Sequence, residues 1–561
     1  MSSSDSRGEV EVLDDKYQVS HQQQPYGEKE KNGLINSDVE TITSSVDSVD
    51  SKNPFLDPIV ADHYRQLYEN SKYECRSAFD PALEWTQEEE TKLVRKLDFR
   101  VAFSACLMFA ALQVDRANLG QAVTDNFLND LNLTTNDYNT GNTIFTVTFL
   151  LAELPSQIIS KRLGPDIFIP IQMCAWSIVA LSQGALKGKA SFYATRALIG
   201  MIEGGFIADL VLWLSYFYTS KELSIRLSWF WTTLSIVGIG ASLAAFGILR
   251  LRGHLELAGW RWLFIIEGAV TSAVGILSFY LMVPSALQTK NKLHPKGWFN
   301  EREEKIVVNR VLRDDPSKGD MHNRQPLTPR MIWKSLTDYD LVPLYIIGLI
   351  AYAPTSTLGA YQTLNLRELG FSTFNTNLLT IPANVIHIFL LLGVTWVSER
   401  VNEKSLVCLI VPIYTVPLVG VLAFWKGEMI SVWPTWAVTT LVLGSPYIHA
   451  ILVAWVSRNA NSIRTRSVAS AVYNIMVQLS GVYAANIYRE DDKPLYHRGN
   501  RQLFGLAISM FPILILTKFY YIWRNSYRDK IWNKFSAEEK QDYINNTTDE
   551  GNKRLDFRFA H

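Results

Sequence analysis

Cysteine is scarce in this chain. Only Cys75, Cys106, Cys174 and Cys408 occur among 561 residues, and they lie far apart. Such spacing supports neither a disulfide framework nor a zinc site. Net charge is absent as well, with 54 Lys and Arg against 54 Asp and Glu, which argues against nucleic acid as a partner. Residues 1–50 are rich in Ser, Asp, Glu and Gln and lack the apolar run of a cleavable signal peptide. The first membrane segment is therefore expected to serve as the internal targeting signal. Enzyme motifs are missing too. Gly184-x-x-x-Gly188-Lys189-Ala190 falls one residue short of a phosphate loop and has no Ser or Thr to hold magnesium. Gly238-Ile-Gly240 has no third glycine and no preceding strand, so no dinucleotide site follows. Neither Gly-x-Ser-x-Gly nor His-Glu-x-x-His occurs. No enzyme, cofactor or metal is expected, and any uphill work must draw on a gradient.

What the chain does have is apolar length. Hydrophobic residues make up 48% of it, and a helix needs about 20 of them in succession to cross roughly 30 Å of hydrocarbon. The pattern predicts an all-α polytopic membrane protein with twelve spans, placed at 99–119, 139–160, 166–186, 191–218, 226–249, 260–283, 341–361, 376–398, 405–425, 432–456, 467–488 and 502–523. Six form an N-terminal half (99–283) and six a C-terminal half (341–523), separated by a polar segment, 284–340. Residues 1–84 read as a disordered tail, 85–98 as an amphipathic juxtamembrane helix opened by a Thr86/Glu89 capping box, and 524–561 as a second tail. In the central segment, Asn300 with Glu303 and Thr328-Pro329 are expected to open two surface helices. Basic residues set the orientation. Lys92, Arg95, Lys96, Lys161, Arg162, eleven Lys or Arg within 284–340, and Arg458, Arg464 and Arg466 all fall on one side, read as cytoplasmic with both termini. Segment 120–138 holds no Lys or Arg and is read as external, which exposes Asn132-Leu-Thr to glycosylation and not Asn545-Asn-Thr.

Ionisable residues inside a membrane are costly and default to functional hypotheses. The fourth span reads Arg196-Ala-Leu-Ile-Gly200-Met-Ile-Glu203-Gly204-Gly205. Arg196, Gly200 and Glu203 share one helical face, with the two charges about 10 Å apart along the axis. The glycines permit close helix approach. Asp115-Arg116 lies toward the end of the first span, and an arginine there suits a carboxylate, sulfonate or phosphate. Against each functional reading stands a structural charge pair. Glu153 and Glu267, near span ends, read as packing or gating groups. His387 and His449 read as satisfied polar residues, although His449 follows Ser445-Pro446-Tyr447 in a broken-helix setting. Asn474 and Gln478 either line a cavity or bond neighbouring helices.

Two six-helix halves with Arg196-x-x-x-Gly200 resemble the major facilitator superfamily. More narrowly, Asp115-Arg116-x-Asn118-Leu, Glu153-Leu-Pro155-Ser156, Lys161-Arg162-Leu-Gly164-Pro165, the fourth-span motif and Trp260-Arg261-Trp262-Leu-Phe-x-x-Glu267-Gly268 resemble the fungal anion:cation symporters typified by allantoate permease. The resemblance covers residues 95–525 and implies proton-coupled uptake of a small organic anion by alternating access. By that likeness Arg116 and Arg196 contact the anion; His449 and Asn474 are further binding candidates from their own setting in the sequence. Asp115 and Glu203 carry protons, while Glu153, Lys161, Arg162, Glu399 and Arg400 gate. The implied partners are a small organic anion, protons and the lipid bilayer, for a monomer in the plasma membrane, with endoplasmic reticulum or vacuole as alternatives. Ala208 stands where many relatives carry proline, so a kink in the fourth span is open. An exporting proton antiporter is the competing reading. It is disfavoured because Ser235–Gly247 has no proline where drug antiporters have a Gly-Pro motif. A nutrient sensor on a transporter fold is a second alternative, poorly supported by so short an acidic tail.

Overall fold

Twelve membrane-crossing helical segments, in two sets of six, make up the body of the protein. The computed structural model describes residues 53–56, 58–70, 72–290, 294–320, 329–401, 403–425, 432–460, 463–547, 549 and 551–561. The reading of the first 50 residues as a disordered tail, and Thr328, lie outside the described residues. Among the described residues nine helices are long and apolar enough to cross a bilayer. The second (Thr135–Leu163), tenth (Trp433–Leu443 with His449–Ala460) and eleventh (Ile463–Ala484) segments complete the twelve. The tenth is broken at 444–448, so neither of its two helices is long enough to cross by itself.

Helix starts follow local chemistry. The Thr86 hydroxyl accepts from the Glu89 N–H while Glu89 Oε2 accepts from the Thr86 N–H, and Thr134/Asp137 and Asn300/Glu303 repeat this reciprocal cap. Helix Gln87–Leu97 passes through one π-type turn, Asp98–Ala102, into Phe103–Ala122 without a break. Instead of lying alone on a membrane surface, it is tied to central-segment helix Glu301–Asp314 by Lys96–Glu303 (2.8 Å) and Arg302–Glu89 (2.6 Å). The Arg302 guanidinium, with the backbone cap, holds Glu89 down at about 2.

Part of the segment expected to be a featureless tail is structured. Helix Pro58–Asn70 and the turn Arg76–Ala78 bury Phe55, Tyr68, Cys75 and Phe79 in one core with Leu97, Val101 and Met108 of the first span and Ile306 and Leu312 of the central segment. Polar composition hid this because the few apolar residues gather on one face. Asn309 then closes the contact, donating to Ala78 O and accepting from the Asp80 N–H, both at 2.8 Å.

Among the described residues the two halves share a core at one end. At the end carrying segment 120–138, Leu119, Phe127 and Phe264 join Leu358, Tyr361 and Tyr488 in a single cluster. Asn139 Nδ2 donates to Tyr488 O (2.7 Å), Tyr138 OH to Ala360 O (2.9 Å), and the Thr135 N–H to Glu490 Oε2 (2.8 Å). At the opposite end, where the first span begins and the twelfth finishes, each half has its own cluster. Among the described residues the halves are thus joined at the far end and form separate cores at the end bearing the chain's terminal segments, here called the parted end.

Candidate functional site

The fourth span is built from two helices, Lys189–Glu203 and Phe206–Ser215. The break needs no proline at 208. Gly205 takes φ +83, and a Cβ there would lie 2.6 Å from Ser156 Oγ. Gln172 Nε2 donates to Gly204 O at 2.9 Å and so caps the interrupted helix. At Gly200 a Cβ would collide with the Phe145 carbonyl, so this glycine presses the fourth span against the second.

That close approach places the Arg196 guanidinium 4.4 Å from the centre of the Phe145 ring. Arg196 is 6% exposed and its Nε has no hydrogen-bond partner. Glu203, one face down the same helix, does not meet Arg196. It pairs with Arg116 of the first span, Nε to Oε2 at 2.9 Å, leaving Glu203 Oε1 and Arg116 Nη2 unpartnered. Arg116 also sits 5.0 Å from the Phe149 ring centre. Asp115 turns away from its sequence neighbour and accepts from Trp176 Nε1 at 3.0 Å. The first span continues to Ala122, so Asp115 and Arg116 lie inside the half, well short of its end.

The C-terminal half supplies a different wall. After the break at 444–448, the His449 ring lies 5.7 Å from Tyr447, 5.6 Å from Tyr473 and 5.8 Å from Tyr352. Trp231 of the fifth span reaches it across the halves, with centroids 6.0 Å apart. Nδ1 of His449 and of His387 are buried without hydrogen-bond partners, while the His387 ring also bonds to the Ser445 backbone. Asn474 is exposed and Gln478 half-buried.

The gating candidates are only partly described. Arg162 and Arg400 are exposed at the parted end, Glu153 is half-buried, and the side chains of Lys161 and Glu399 lie outside the described residues. Asn132 is exposed in the loop at the joined end. Sequence reading passed over Asp209, which is 3% exposed beside Glu153 and Ser160. It also undervalued Glu267, whose two carboxylate oxygens are buried without partners. In both cases the available signal was the same: a carboxylate within an apolar run.

The site can bind and release charge. Two arginines face one directly paired carboxylate, an arrangement with cationic capacity to spare for an anion. Residues 104–485 match the Major Facilitator Superfamily, and the chain belongs to that family of membrane transporters, which are not enzymes. Its relatives are fungal. It is 45% identical to the uncharacterized transporter YIL166C of Saccharomyces cerevisiae over 97% of this chain and 100% of that one. It is 28% identical to the major facilitator-type transporter hxnP of Emericella nidulans over 73% and 81%. Among solved structures it resembles the xylose transporter XylE from E. coli (TM-score 0.54, 14% identity, 74% of this chain and 97% of that one). The nucleoside transporter NupG is similar in fold (TM-score 0.53, 10% identity, 74% and 98%).

Proposed function

We propose that the protein is a symporter that takes up a small organic anion, a carboxylate or sulfonate nutrient, together with protons. The observation that carries this reading is the Arg116–Glu203 pair, its carboxylate fully buried in the N-terminal half with Arg196 close by. A carboxylate already occupying an arginine competes with an incoming anion for it. A proton on Glu203 removes that competition and leaves Arg116 and Arg196 to the anion. Proton and anion then enter together, and the halves rock about the site between them. Deprotonation on the opposite side restores the Arg116–Glu203 pair and expels the anion. Asp115 is the second proton carrier. His449 lines the anion's other side, with Asn474 at the exposed edge. Glu153, Lys161, Arg162, Glu399 and Arg400 close the parted end in the alternate state.

In this reading both termini are cytoplasmic, the described state opens inward, and Asn132 faces outward where a glycan can be added. The motif likeness to the allantoate permease branch supports an organic anion as cargo, a monomer as the working unit and the plasma membrane as its site. The test is uptake of labelled allantoate, nicotinate, pantothenate, biotin, cysteine and sulfonates at external pH 5 and 7, with and without a protonophore. Accumulation at pH 5 that the protonophore abolishes, and that Glu203→Gln loses at normal surface abundance, is the expected result. Full proton-driven accumulation by Glu203→Gln would sink the reading.

A further inference from the structure

One group of buried polar atoms lies off the path between the arginines and His449. The Trp260 N–H donates to Asp125 Oδ2 at 2.9 Å, which sets the antiparallel register of the sixth span (Gly259–Leu281) against the first. Counting inward from that bond at about 1.5 Å per residue puts Glu267 level with Asn118, and Thr271 level with Asp115. Glu267 and Thr271 are one turn apart on the same face, as are Asp115 and Asn118. All four are almost completely enclosed, at 4%, 0%, 2% and 0% exposure respectively. Among the described residues both oxygens of Glu267 and both amide atoms of Asn118 have no hydrogen-bond partner, while the Thr271 hydroxyl faces the Asp115 carboxylate.

Among the described residues no cation pairs with Glu267 or Asp115, and Arg116, next to Asp115 in the chain, is spent on Glu203. Asp115 is the charged neighbour that acts on Glu267, and Glu203 in turn acts on Asp115 from the fourth span. Arg261, on Glu267's own helix, spends its guanidinium on Gly184 O and Leu186 O. Arg252 pairs with Asp125, and Arg226 of the fifth span pairs with Asp98. The third span contributes Trp176 to Asp115 and the Cys174 thiol two turns inward, beside Gly275. Two ionised carboxylates enclosed without a counter-charge are strongly disfavoured, whereas a bound proton neutralises one of them and supplies a donor to the other oxygens.

We propose that Glu267 is a proton-binding residue that shares its proton with Asp115, forming a site between the first and sixth spans separate from the Arg116–Glu203 pair. The site rests on the symport reading for its use. Protons reach Asp115 from Glu267 and pass to the anion site through the Asp115–Glu203 interaction, so the coupling machinery is a line of three carboxylates across the N-terminal half. Glu267 is a positioning and relay group and does not touch the anion.

The experiment needs no transported substrate. Infrared difference spectra of the purified full chain in detergent, titrated from pH 5 to 9, report buried protonated carboxyls directly. Glu267→Gln is expected to remove one such band. Asp115→Asn is expected to keep it while changing its proton affinity about tenfold, one unit on the pH axis. Glu267→Asp, which retains the carboxyl, is expected to keep a displaced band and guards against a fold defect in the glutamine variant. An unchanged spectrum in Glu267→Gln, or a Glu267 band indifferent to Asp115→Asn, would overturn the proposal. So would displacement of the band by sodium in place of choline at fixed pH, which would assign the site to an alkali cation. Failure of the symport reading shows elsewhere, as accumulation insensitive to the protonophore, and leaves the band result standing.

Discussion

The two halves share an architecture and differ in what they bury. In the N-terminal half, Asp115, Arg116, Arg196, Glu203 and Glu267 lie between its own spans, with all but Arg116 less than one-tenth exposed. In the C-terminal half the buried acid and arginine among the described residues stand at helix ends. Asp340 accepts from Arg524, Lys553 and Tyr520 where the seventh span begins, and Arg528 donates to Asn552 O. The interior of that half is lined by His387, His449, Tyr352, Tyr447 and Tyr473. Among the described residues, buried ionisable groups within the spans are therefore concentrated in one half. The other offers a largely neutral, aromatic wall, and its charges fasten the terminal segment. Under the proposed symport, such a division would let one half hold anion and protons while the other shapes the cavity.

The comparison is broken most severely by removing an arginine. Arg116→Ala or Arg196→Ala should lower initial uptake of the transported anion by roughly a hundredfold, as expected for loss of a charged hydrogen bond worth about 3 kcal/mol. Uptake measured at matched surface abundance checks this. Equal losses from Arg162→Ala and Arg400→Ala at the parted end would contradict the division.

Gly205→Ala is next. A side chain at φ +83 costs about 1–2 kcal/mol before the collision with Ser156 is counted. A fall in apparent melting temperature in detergent is expected, together with reduced uptake because Glu203 sits at the end of that helix.

In the C-terminal half, Asp340→Asn should cost about 1–2 kcal/mol and loosen residues 551–561, read as faster hydrogen exchange there. The pH dependence has a definite sign. Burial pushes the Asp340 carboxyl up, but Arg524, Lys553 and Tyr520 more than offset this and hold it below the ordinary aspartate value. Its stabilisation is thus complete at neutral pH and is lost as pH falls through and below that range. The opposite trend, tighter docking on acidification, would contradict the assignment.

The smallest effect is expected at His449. His449→Phe preserves the aromatic packing and should change the Michaelis constant for uptake by less than about tenfold, near 1 kcal/mol. A loss as large as that of the arginine variants would make the aromatic wall a charge-handling site and erase the contrast between halves.

Some of this was legible in the residues and some was not. Arg196, Gly200 and Glu203 read correctly as one face because helical periodicity is a local property of the chain. The Thr86/Glu89 and Asn300/Glu303 caps were equally local, and both are present. Glu203 pairing with Arg116, 87 residues away, was not legible, since periodicity orients a side chain without naming the helix opposite it. Asp115 and Arg116 are adjacent in sequence and part company in space, one to Trp176 and the other to Glu203. Glu267 read as a packing or gating group because it lies near a span end. In fact the sixth span packs so that both its oxygens are enclosed.

By itself the sequence determined the membrane-spanning class, the six-plus-six division and the candidate charges. These follow from apolar length, from the cost of charge in hydrocarbon and from a repeat of 3.6 residues, all of which act within one segment. Only the tertiary structure decided which carboxylate meets which arginine, that the halves join at one end and part at the other, and that, among the described residues, acid is enclosed without a paired cation between the first and sixth spans. Those outcomes depend on the register and approach of helices far apart in the chain, set by contacts such as Gly200 on Phe145 and Asp125 on Trp260.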